Sequence, residues 1–245
     1  LSGSDRALIF GVTEDTVQIL RRAGCQEVGT AQRWVKVLRS ETQLTKRMRS
    51  KWLAKMAAPL VDVGLRLLSR ETFSSRSSGV ITGIDQSSDS RCDRLWKRAA
   101  AQFPIATERS STFLNWRFRE FDSVPYQVFW LGSDQGEISG YIVFHVHQDA
   151  SVEVVDVLYD SPLTLDRLLT EFLCRMRSKE FRATTVGLSY LGLPLLGDRL
   201  RAFGFRRRPE SLQVLALANS SVLGEMSKSH IDLHRWFLTS AEFDM

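Results

Sequence analysis

A strand that runs almost directly into a helix dominates the second half of this sequence. Ser151–Tyr159 reads Ser-Val-Glu-Val-Val-Asp-Val-Leu-Tyr, the pattern of a buried strand. The turn Asp160-Ser161-Pro162 follows, and an amphipathic helix is predicted over residues 162–179. Such a short turn aims the free N–H groups at the start of the helix toward the space beyond the strand end. That geometry suits an anion or an anionic cofactor.

The composition is that of a soluble globular protein with a mild positive charge. The apolar fraction is 43%, the charged fraction is 25% and the net charge is +5. The length, 245 residues, allows one large domain or one domain plus part of another. Much of the positive charge lies in residues 33–55, where the only acid is Glu41. Two interpretations stay open: a solvated helix face, or a surface that contacts an anionic membrane or another polyanion.

Cysteine usage and hydropathy exclude several classes of protein. Cys25, Cys92 and Cys174 are widely spaced and form no C-x-x-C pair, so no zinc knuckle or redox motif is predicted. Reduced thiols are typical of cytosolic proteins, and we expect a cytoplasmic location. No run reaches the roughly 18 apolar residues that a spanning helix needs. The basic run holds few aromatics, Trp34 and Trp52, so no nucleic-acid partner is predicted.

The order of predicted elements divides the chain into three parts. Residues 1–39 contain a strand, a helix and a second strand, and residues 84–245 contain a larger α/β unit. Between them, residues 40–83 hold a long connector helix, kinked at Pro59, and a serine-rich linker. The connector either packs between two domains or lies on a membrane as a basic amphipathic helix. Because the chain opens almost at once on an apolar strand, we expect it to be a piece of a longer protein.

An internal repeat links the first and last parts of the chain. Leu20-Arg-Arg-Ala-Gly-Cys matches Leu200-Arg-Ala-Phe-Gly-Phe, and each stretch lies between two predicted strands. A repeat on this scale indicates a duplicated fold. Only the closing strand, helix and strand of the first copy are present, whereas the second copy contains the full order of elements.

That order resembles the GNAT acyltransferase family. In residues 84–218 it is helix, helix, three strands, a long helix, strand, helix and strand. Residues 109–118, 140–143 and 236–239 are similar to tandem GNAT proteins found with bacterial polysaccharide synthesis. The resemblance implies an α/β (α+β) fold in which a GNAT-like mixed sheet is flanked by helices. The C-terminal part of another GNAT-like copy and the connector helix would precede it. It also implies acyl transfer from acetyl-CoA or another acyl-CoA to an amine.

The resemblance places the cofactor at the strand-to-helix turn, on Val157 and Leu158, with Thr13 as a cofactor contact in the first copy. The family's turn is rich in glycine and carries a basic residue. Here residues 158–164 contain neither, and Pro162 removes one N–H donor. The alternative is ordinary helix capping by residues 160–161. The family's proton-donating tyrosine is replaced by leucine in both copies, so we expect the second copy to be degenerate in cofactor binding.

Few residues remain as candidates for chemistry. Asp156 is the candidate general base; the alternative is a polar side chain bonded to an arginine or a tyrosine. Glu153 is expected on the opposite face of the same strand. His145 and His147 share a strand face, but no third ligand is spaced to join them, so no metal site is predicted.

A second group of candidates concerns the acceptor. Arg109, Trp116 and Arg117 are candidates for binding an acidic or sugar group; the alternative for them is helix packing. The tail is expected to pack back onto the body through residues 236–238. For Glu242 and Asp244 two interpretations stay open: they reach a cleft, or they are disordered. The sequence thus predicts an N-acyltransferase acting on an amine, on a sugar or a cell-envelope precursor. The alternative is a non-catalytic GNAT-like module that binds a substrate or a partner.

Overall fold

The computed structural model describes most of the chain. The residues described are 7–12, 14–40, 61–64, 69–73, 80–120, 124–133, 136–218 and 236–242. Residues 61–64 are helical, and the rest of the predicted connector helix up to residue 68 lies outside these ranges, as do Thr13 and Asp244.

The elements follow the predicted order closely. The helices are α1 (Glu14–Arg22), α2 (Arg70–Phe73), α3 (Ser90–Ala99), α4 (Ser111–Asn115), α5 (Pro162–Arg177) and α6 (Pro194–Ala202). The strands are β1 (Ala7–Val12), β2 (Gln26–Val37), β3 (Ile81–Asp85), β4 (Gln127–Gly132), β5 (Ile138–Val146), β6 (Ser151–Tyr159), β7 (Thr185–Gly192), β8 (Arg206–Ala218) and β9 (Phe237–Thr239). None of the helices in the described ranges is long and apolar enough to cross a membrane.

The described strands form one mixed sheet. Its order is β1-β8-β2-β7-β6-β5-β4-β3, and β9 pairs with β7 beside this path. Neighbouring strands are antiparallel except for β6 and β7, which are parallel. The predicted mixed sheet flanked by helices is confirmed. The division at residues 39 and 83 stays a prediction, and β2 lies inside this sheet, between β7 and β8.

Helices cover both faces of the sheet. Leu169 and Phe172 of α5 pack with Leu196 of α6 against Ile142 and Val157 on one face. Side chains alternate along a strand, so the neighbours of Ile142 and Val157, including Tyr141, face the other side, where α3 and α4 lie. Helix α5 forms as predicted, because the Ser161 hydroxyl accepts a hydrogen bond from the Thr164 N–H and a proline starts the first turn.

The central feature of the sheet is a splay between β6 and β7. These strands pair only from Ser151–Thr185 to Val154–Leu188, and beyond that point their ends diverge. Tyr190 of β7 pairs with Gln32 of β2 and also with Thr239 of β9. Because a strand has two edges, β9 must lie on the edge of β7 that faces β6. The tail of the chain therefore occupies the splay.

The repeated stretches have the same local structure. Helices α1 and α6 end at Gly24 and Gly204, with φ angles of 92° and 82°. The N–H groups of Cys25 and Phe205 donate to carbonyls five residues earlier, at 3.0 and 2.9 Å, as in a Schellman motif. The units β1-α1-β2 and β7-α6-β8 interleave in the order β1-β8-β2-β7.

The paired residues of β2 and β8 reveal the symmetry of this arrangement. Ala31 pairs with Leu212 and Gln32 with Ser211. In the repeat, position 31 corresponds to 211 and position 32 to 212, so exchanging the two units converts the first pair into the second. The two units are therefore related by a pseudo-twofold axis between β2 and β8.

A short segment after the connector is fixed to the body by buried charges. The Lys36 ammonium group forms a buried ion pair with Glu71 at 2.8 Å and also donates to the Phe203 carbonyl. Arg177 of α5 reaches the same carboxylate at 3.3 Å. Burial lowers the pKa of Lys36, and the Glu71 carboxylate partly opposes that shift. Glu71 thus joins α2 to β2 and α5.

Strand β3 is absent from the sequence prediction, which starts the second unit at residue 84. The strand is short and lies at the edge of the sheet, where it pairs only with β4 among the described residues. Its centre, Gly83, leaves space for the Trp130 ring, whose indole N–H donates to Asp85 at 2.9 Å. A five-residue strand with a central glycine carries little periodic signal, since glycine is disfavoured in strands.

Candidate functional site

Asp156, the predicted general base, lies on β6 within the splay and is completely buried. Its carboxylate accepts hydrogen bonds from Arg109 Nε at 3.1 and 3.2 Å and from the Tyr141 hydroxyl at 2.8 Å. The Thr239 hydroxyl of the tail donates to it at 2.8 Å. The structure therefore shows a carboxylate bonded to both an arginine and a tyrosine.

Arg109 connects this carboxylate to a second one. Its side chain is fully buried, and Nη2 donates to Glu242 at 2.8 Å. Nη1 donates to the Thr107 carbonyl at 2.8 Å, and the guanidinium lies 5.1 Å from the Phe237 ring centroid. Burial by itself lowers the pKa of Arg109, but the carboxylates of Asp156 and Glu242 outweigh this and raise it.

Glu242 also fixes the tail itself. Its carboxylate accepts hydrogen bonds from the Thr239 N–H at 2.7 Å and the Thr239 hydroxyl at 3.2 Å. Burial raises the pKa of Glu242, and the nearby Asp156 carboxylate raises it further, although Arg109 opposes the shift. Burial likewise raises the pKa of the Tyr141 phenol, which therefore acts as a donor. We call Arg109, Tyr141, Asp156, Thr239 and Glu242 the tail cluster.

The predicted acceptor-binding residues are placed differently from one another. Arg109 belongs to the tail cluster, and the buried Arg117 donates to the Ala241 carbonyl at 3.0 Å. Trp116 is 48% exposed and lies apart from them, with its ring centroid 6.0 Å from that of Phe113. The structure brings Asp156 together with both arginines through the tail, and it leaves Trp116 at the surface.

The two acids of β6, Glu153 and Asp156, lie on the same face of the strand, which differs from the sequence prediction. Glu153 was expected on the face opposite Asp156. The pairing of β5 and β6 shifts register between Val154 and Asp156, which is a β-bulge. Because of this bulge both acids lie on the same face. Glu153 is held there by Arg33, at 2.7 and 2.8 Å, and it pairs across the strands with His145, whereas Asp156 pairs with Val143.

The polar groups of the turn between β6 and α5 are hydrogen-bonded to other groups of the protein. The Thr164 hydroxyl donates to the Asp160 carboxylate at 2.7 Å, and Gln102 donates to the Asp160 carbonyl. The Ser161 cap already binds the Thr164 N–H. The free donors on which an anion would rely at this helix start are therefore reduced by the cap and by Pro162.

A cleft of about 590 Å³ opens beside this turn. Three arginines, two carboxylates and three hydroxyl groups contribute to its lining, which contains no aromatic side chain. Two of the arginines, Arg94 and Arg98, share the Glu137 carboxylate at 2.7 and 3.4 Å. The third, Arg167, is exposed at the start of α5. The lining suits a ligand that carries hydroxyl groups and a negative charge.

No protein-family model matches this sequence, and no curated protein matches it. Solved structures do match. A GCN5-related N-acetyltransferase from Anabaena variabilis aligns with 85% of this chain at 12% identity and a TM-score of 0.53. A conserved Enterococcus faecalis protein, described as a probable N-acyltransferase, aligns with 86% at 12% identity and a TM-score of 0.51. The chain therefore has the GNAT fold. It spans 45% of the length of each of these two proteins.

A Staphylococcus epidermidis protein of unknown function is similar in structure to this chain to nearly the same degree. It aligns with 86% of this chain and 71% of its own length, at 13% identity and a TM-score of 0.50. At identities this low the likeness concerns the fold alone.

Within the GNAT fold, two of the predicted cofactor residues, Val157 and Leu158, lie on β6 at the edge of the splay. The Asp160 N–H donates to the Ser139 carbonyl on β5. Because N–H groups two residues apart on a strand point to the same side, the N–H of Leu158 also points toward β5. The N–H of Val157 then points toward the splay. At the two positions where the family has its tyrosine, Leu200 is buried in the main core, and Leu20 is partly buried against a smaller apolar cluster.

Three contributors to the site were not predicted as such. Tyr141 lies in a stretch that the sequence analysis used only for the family resemblance. Thr239 likewise entered only the resemblance, within residues 236–239, and was given no role in the site. Gly192, with φ of 126°, lies where a Cβ atom would overlap the Trp236 carbonyl oxygen, so the tail can approach β7 only because this residue is glycine.

Proposed function

We propose that this chain is the non-catalytic GNAT-fold part of an N-acyltransferase. The whole protein would transfer an acyl group from acyl-CoA to an amine, on a sugar or a cell-envelope precursor. The described unit would not bind acyl-CoA; it would hold the acceptor or the other part of the enzyme. The observation that carries this proposal is the occupation of the splay by β9 and the residues after it.

The first support is steric. If a GNAT cofactor bound this unit, its pyrophosphate would lie at the turn after β6, and its acyl carbonyl would lie at an N–H of β6. The cofactor would then have to run along the edge of β6 inside the splay. The Thr239 hydroxyl already occupies that edge, 2.8 Å from Asp156, and the buried Phe237 and Leu238 fill the space beside it.

The second support is chemical. A general base needs a lone pair within reach of the substrate proton. The Asp156 carboxylate is fully buried and accepts hydrogen bonds from three side chains, so an amine cannot approach it in this arrangement. The leucines at positions 20 and 200 cannot protonate a departing thiolate. These residues therefore support neither the acyl-CoA binding nor the proton transfers of the GNAT family.

The proposal is tested by calorimetric titration of acetyl-CoA into this chain. We expect no saturable heat at millimolar ligand, because the splay is filled. A micromolar dissociation constant would contradict the proposal. The double variant T239V/E242Q, which weakens the attachment of the tail, serves as the comparison: binding that appears only in the variant would identify the tail as the obstacle.

The activity of the whole protein needs a separate assay. Release of CoA from acetyl-CoA can be followed with a thiol reagent in the presence of amino sugars. We expect release from the natural full-length protein and none from residues 1–245 alone. Equal activity of the two would show that the described unit is itself the enzyme.

The alternative, a substrate-binding module without any acyltransferase partner, is favoured by the cleft beside the β6–α5 turn. Its arginines and hydroxyl groups suit a sugar that carries a carboxylate or a phosphate. Glucuronate and glucosamine 6-phosphate are suitable probes in a ligand-observed NMR titration. Binding that is lost in R167A but retained in R119A, a change outside the cleft lining, would support this function. No binding of either probe would contradict it.

A further inference from the structure

Two histidines meet at the far end of the β5–β6 hairpin. His145 is the last but one residue of β5, and His147 follows the strand on the same side. The hairpin is closed by hydrogen bonds from the His147 N–H to Ser151 at 2.8 Å and from the Ala150 N–H to His147 at 2.9 Å. The Asp149 carboxylate accepts from the Ser151 N–H at 3.0 Å, which fixes the turn. The backbone therefore holds His147 in one position relative to the strand.

The two imidazole rings converge through their Nε2 atoms. These atoms lie 2.9 Å apart, and the ring centroids are 4.2 Å apart with an interplanar angle of 71°. The Tyr126 ring packs edge-on against His145, 5.3 Å between centroids, and so supports its orientation. His147 is exposed, which leaves the pair accessible from solvent.

The separation of the nitrogens indicates which geometry the pair could complete. If one metal ion were bonded to both nitrogens at about 2.0–2.1 Å, this separation would give a nitrogen–metal–nitrogen angle of roughly 90°. A tetrahedral centre would need the two nitrogens about 3.3–3.4 Å apart. An angle near 90° belongs to adjacent positions of a square-planar or octahedral centre. Imidazole ligands in such a geometry are typical of Cu²⁺ and Ni²⁺.

We propose that His145 and His147 form a binding site for a divalent transition-metal ion of square or octahedral preference, with Cu²⁺ and Ni²⁺ as the best candidates. Water would complete the coordination, because among the described residues no group of three His, Cys, Asp or Glu side chains is arranged to hold a metal. The sequence pattern predicts no metal site, and this proposal departs from that prediction on the Nε2 separation. The site is independent of the proposed function, since it lies at the opposite end of β6 from the turn to α5.

The competing interpretation is a direct hydrogen bond between the two rings, in which one Nε2–H donates to the other nitrogen. Both arrangements fit a separation of 2.9 Å, but they differ in their response to metal. A hydrogen-bonded pair without metal affinity would leave Cu²⁺ and Ni²⁺ unbound.

The test uses the H230A/H234A background, because the chain has four histidines and the other two are four positions apart. Cu²⁺, Ni²⁺ and Zn²⁺ are titrated by calorimetry, and the Cu²⁺ complex is examined by electron paramagnetic resonance. We expect one equivalent of Cu²⁺ and of Ni²⁺, and coupling to two equatorial nitrogens. Adding H147A should weaken binding by roughly tenfold or more.

Because His147 is exposed, H147A should leave the circular dichroism melting curve unchanged, which separates a lost ligand from a lost fold. H145A provides an independent second measurement. Absence of saturable Cu²⁺ and Ni²⁺ binding would overturn the proposal, as would binding that survives both substitutions.

Discussion

Replacing Arg109 by methionine tests how the tail is held in the splay. Arg109→Met removes the only cation that contacts Asp156 and Glu242 among the described residues and leaves both carboxylates buried. Both accept a hydrogen bond from the Thr239 hydroxyl, at 2.8 and 3.2 Å, so their bonded oxygens are no more than about 6 Å apart. Two charges at that distance repel by about 3 kcal/mol at an effective dielectric constant of 20.

Loss of the partner of a buried ion pair typically costs about 3–5 kcal/mol, which agrees with this value. We therefore expect R109M to lower the free energy of unfolding by about 3–5 kcal/mol. Urea unfolding followed by tryptophan fluorescence and circular dichroism measures it. At the urea dependence of a protein of this size, the midpoint should fall by about 1–2 M.

The triple variant R109M/D156N/E242Q is the matched control. It removes the cation and both anions while keeping the side-chain sizes similar, so most of the lost stability should return. A cost below about 1 kcal/mol for R109M, or a triple variant as unstable as R109M, would refute the view that buried charge pairing fixes the tail.

Three further predictions concern other contacts. Gly192→Ala should displace the tail and cost more than about 2 kcal/mol of folding stability, because it combines an unfavourable backbone angle with a clash against the Trp236 carbonyl. Gly136→Ala is the control for backbone strain alone, since Gly136 has a φ of 77° and open space around its Cβ position. Equal losses of stability for the two variants in a thermal melt would contradict the clash. The raised pKa of Glu242 means that its contribution to stability is fully present below its ordinary value of 4.5 and is lost as pH rises through the raised value. The stability difference between the protein and E242Q should therefore fall with rising pH across that window, and a constant difference would show that the shift is absent. K36M and E71Q should each cost about 3–5 kcal/mol, whereas the double variant K36M/E71Q should cost less than their sum. Strict additivity in this double-mutant cycle would argue against a direct pair.

Local features of the sequence predict the local features of the fold. The bounds of β6 agree with the prediction, since six of its nine positions are valine, leucine or tyrosine and the turn at residues 160–162 follows them directly. Pro162 and Ser161 predict the start of α5, and the glycines after α1 and α6 predict their ends. In each case the physical cause lies within a few residues of the effect.

The site depends on contacts that no local pattern records. Arg109 donates hydrogen bonds to Asp156, which lies 47 residues away in the sequence, and to Glu242, which lies 133 residues away. The sequence predicts that Trp236, Phe237 and Leu238 pack onto the body, and all three are buried, but a three-residue strand carries no periodicity to show which strand it joins. The bulge in β6 is likewise invisible in the sequence, and it moves Glu153 to the face of Asp156.

The interleaving of β1-α1-β2 with β7-α6-β8 has a consequence for how the chain folds during synthesis. Both neighbours of β2 are made late, since Val37 pairs with Thr185 and Gln26 with Ala216. Throughout translation of the intervening segment, the residues of β2 leave the ribosome with neither edge paired by its final partners. Closure of the sheet is therefore a late, long-range step, and unpaired strand edges of this kind favour aggregation. A chaperone that shields residues 26–37 until β7 and β8 appear would raise the yield of folded protein more than one that acts on the chain after its release.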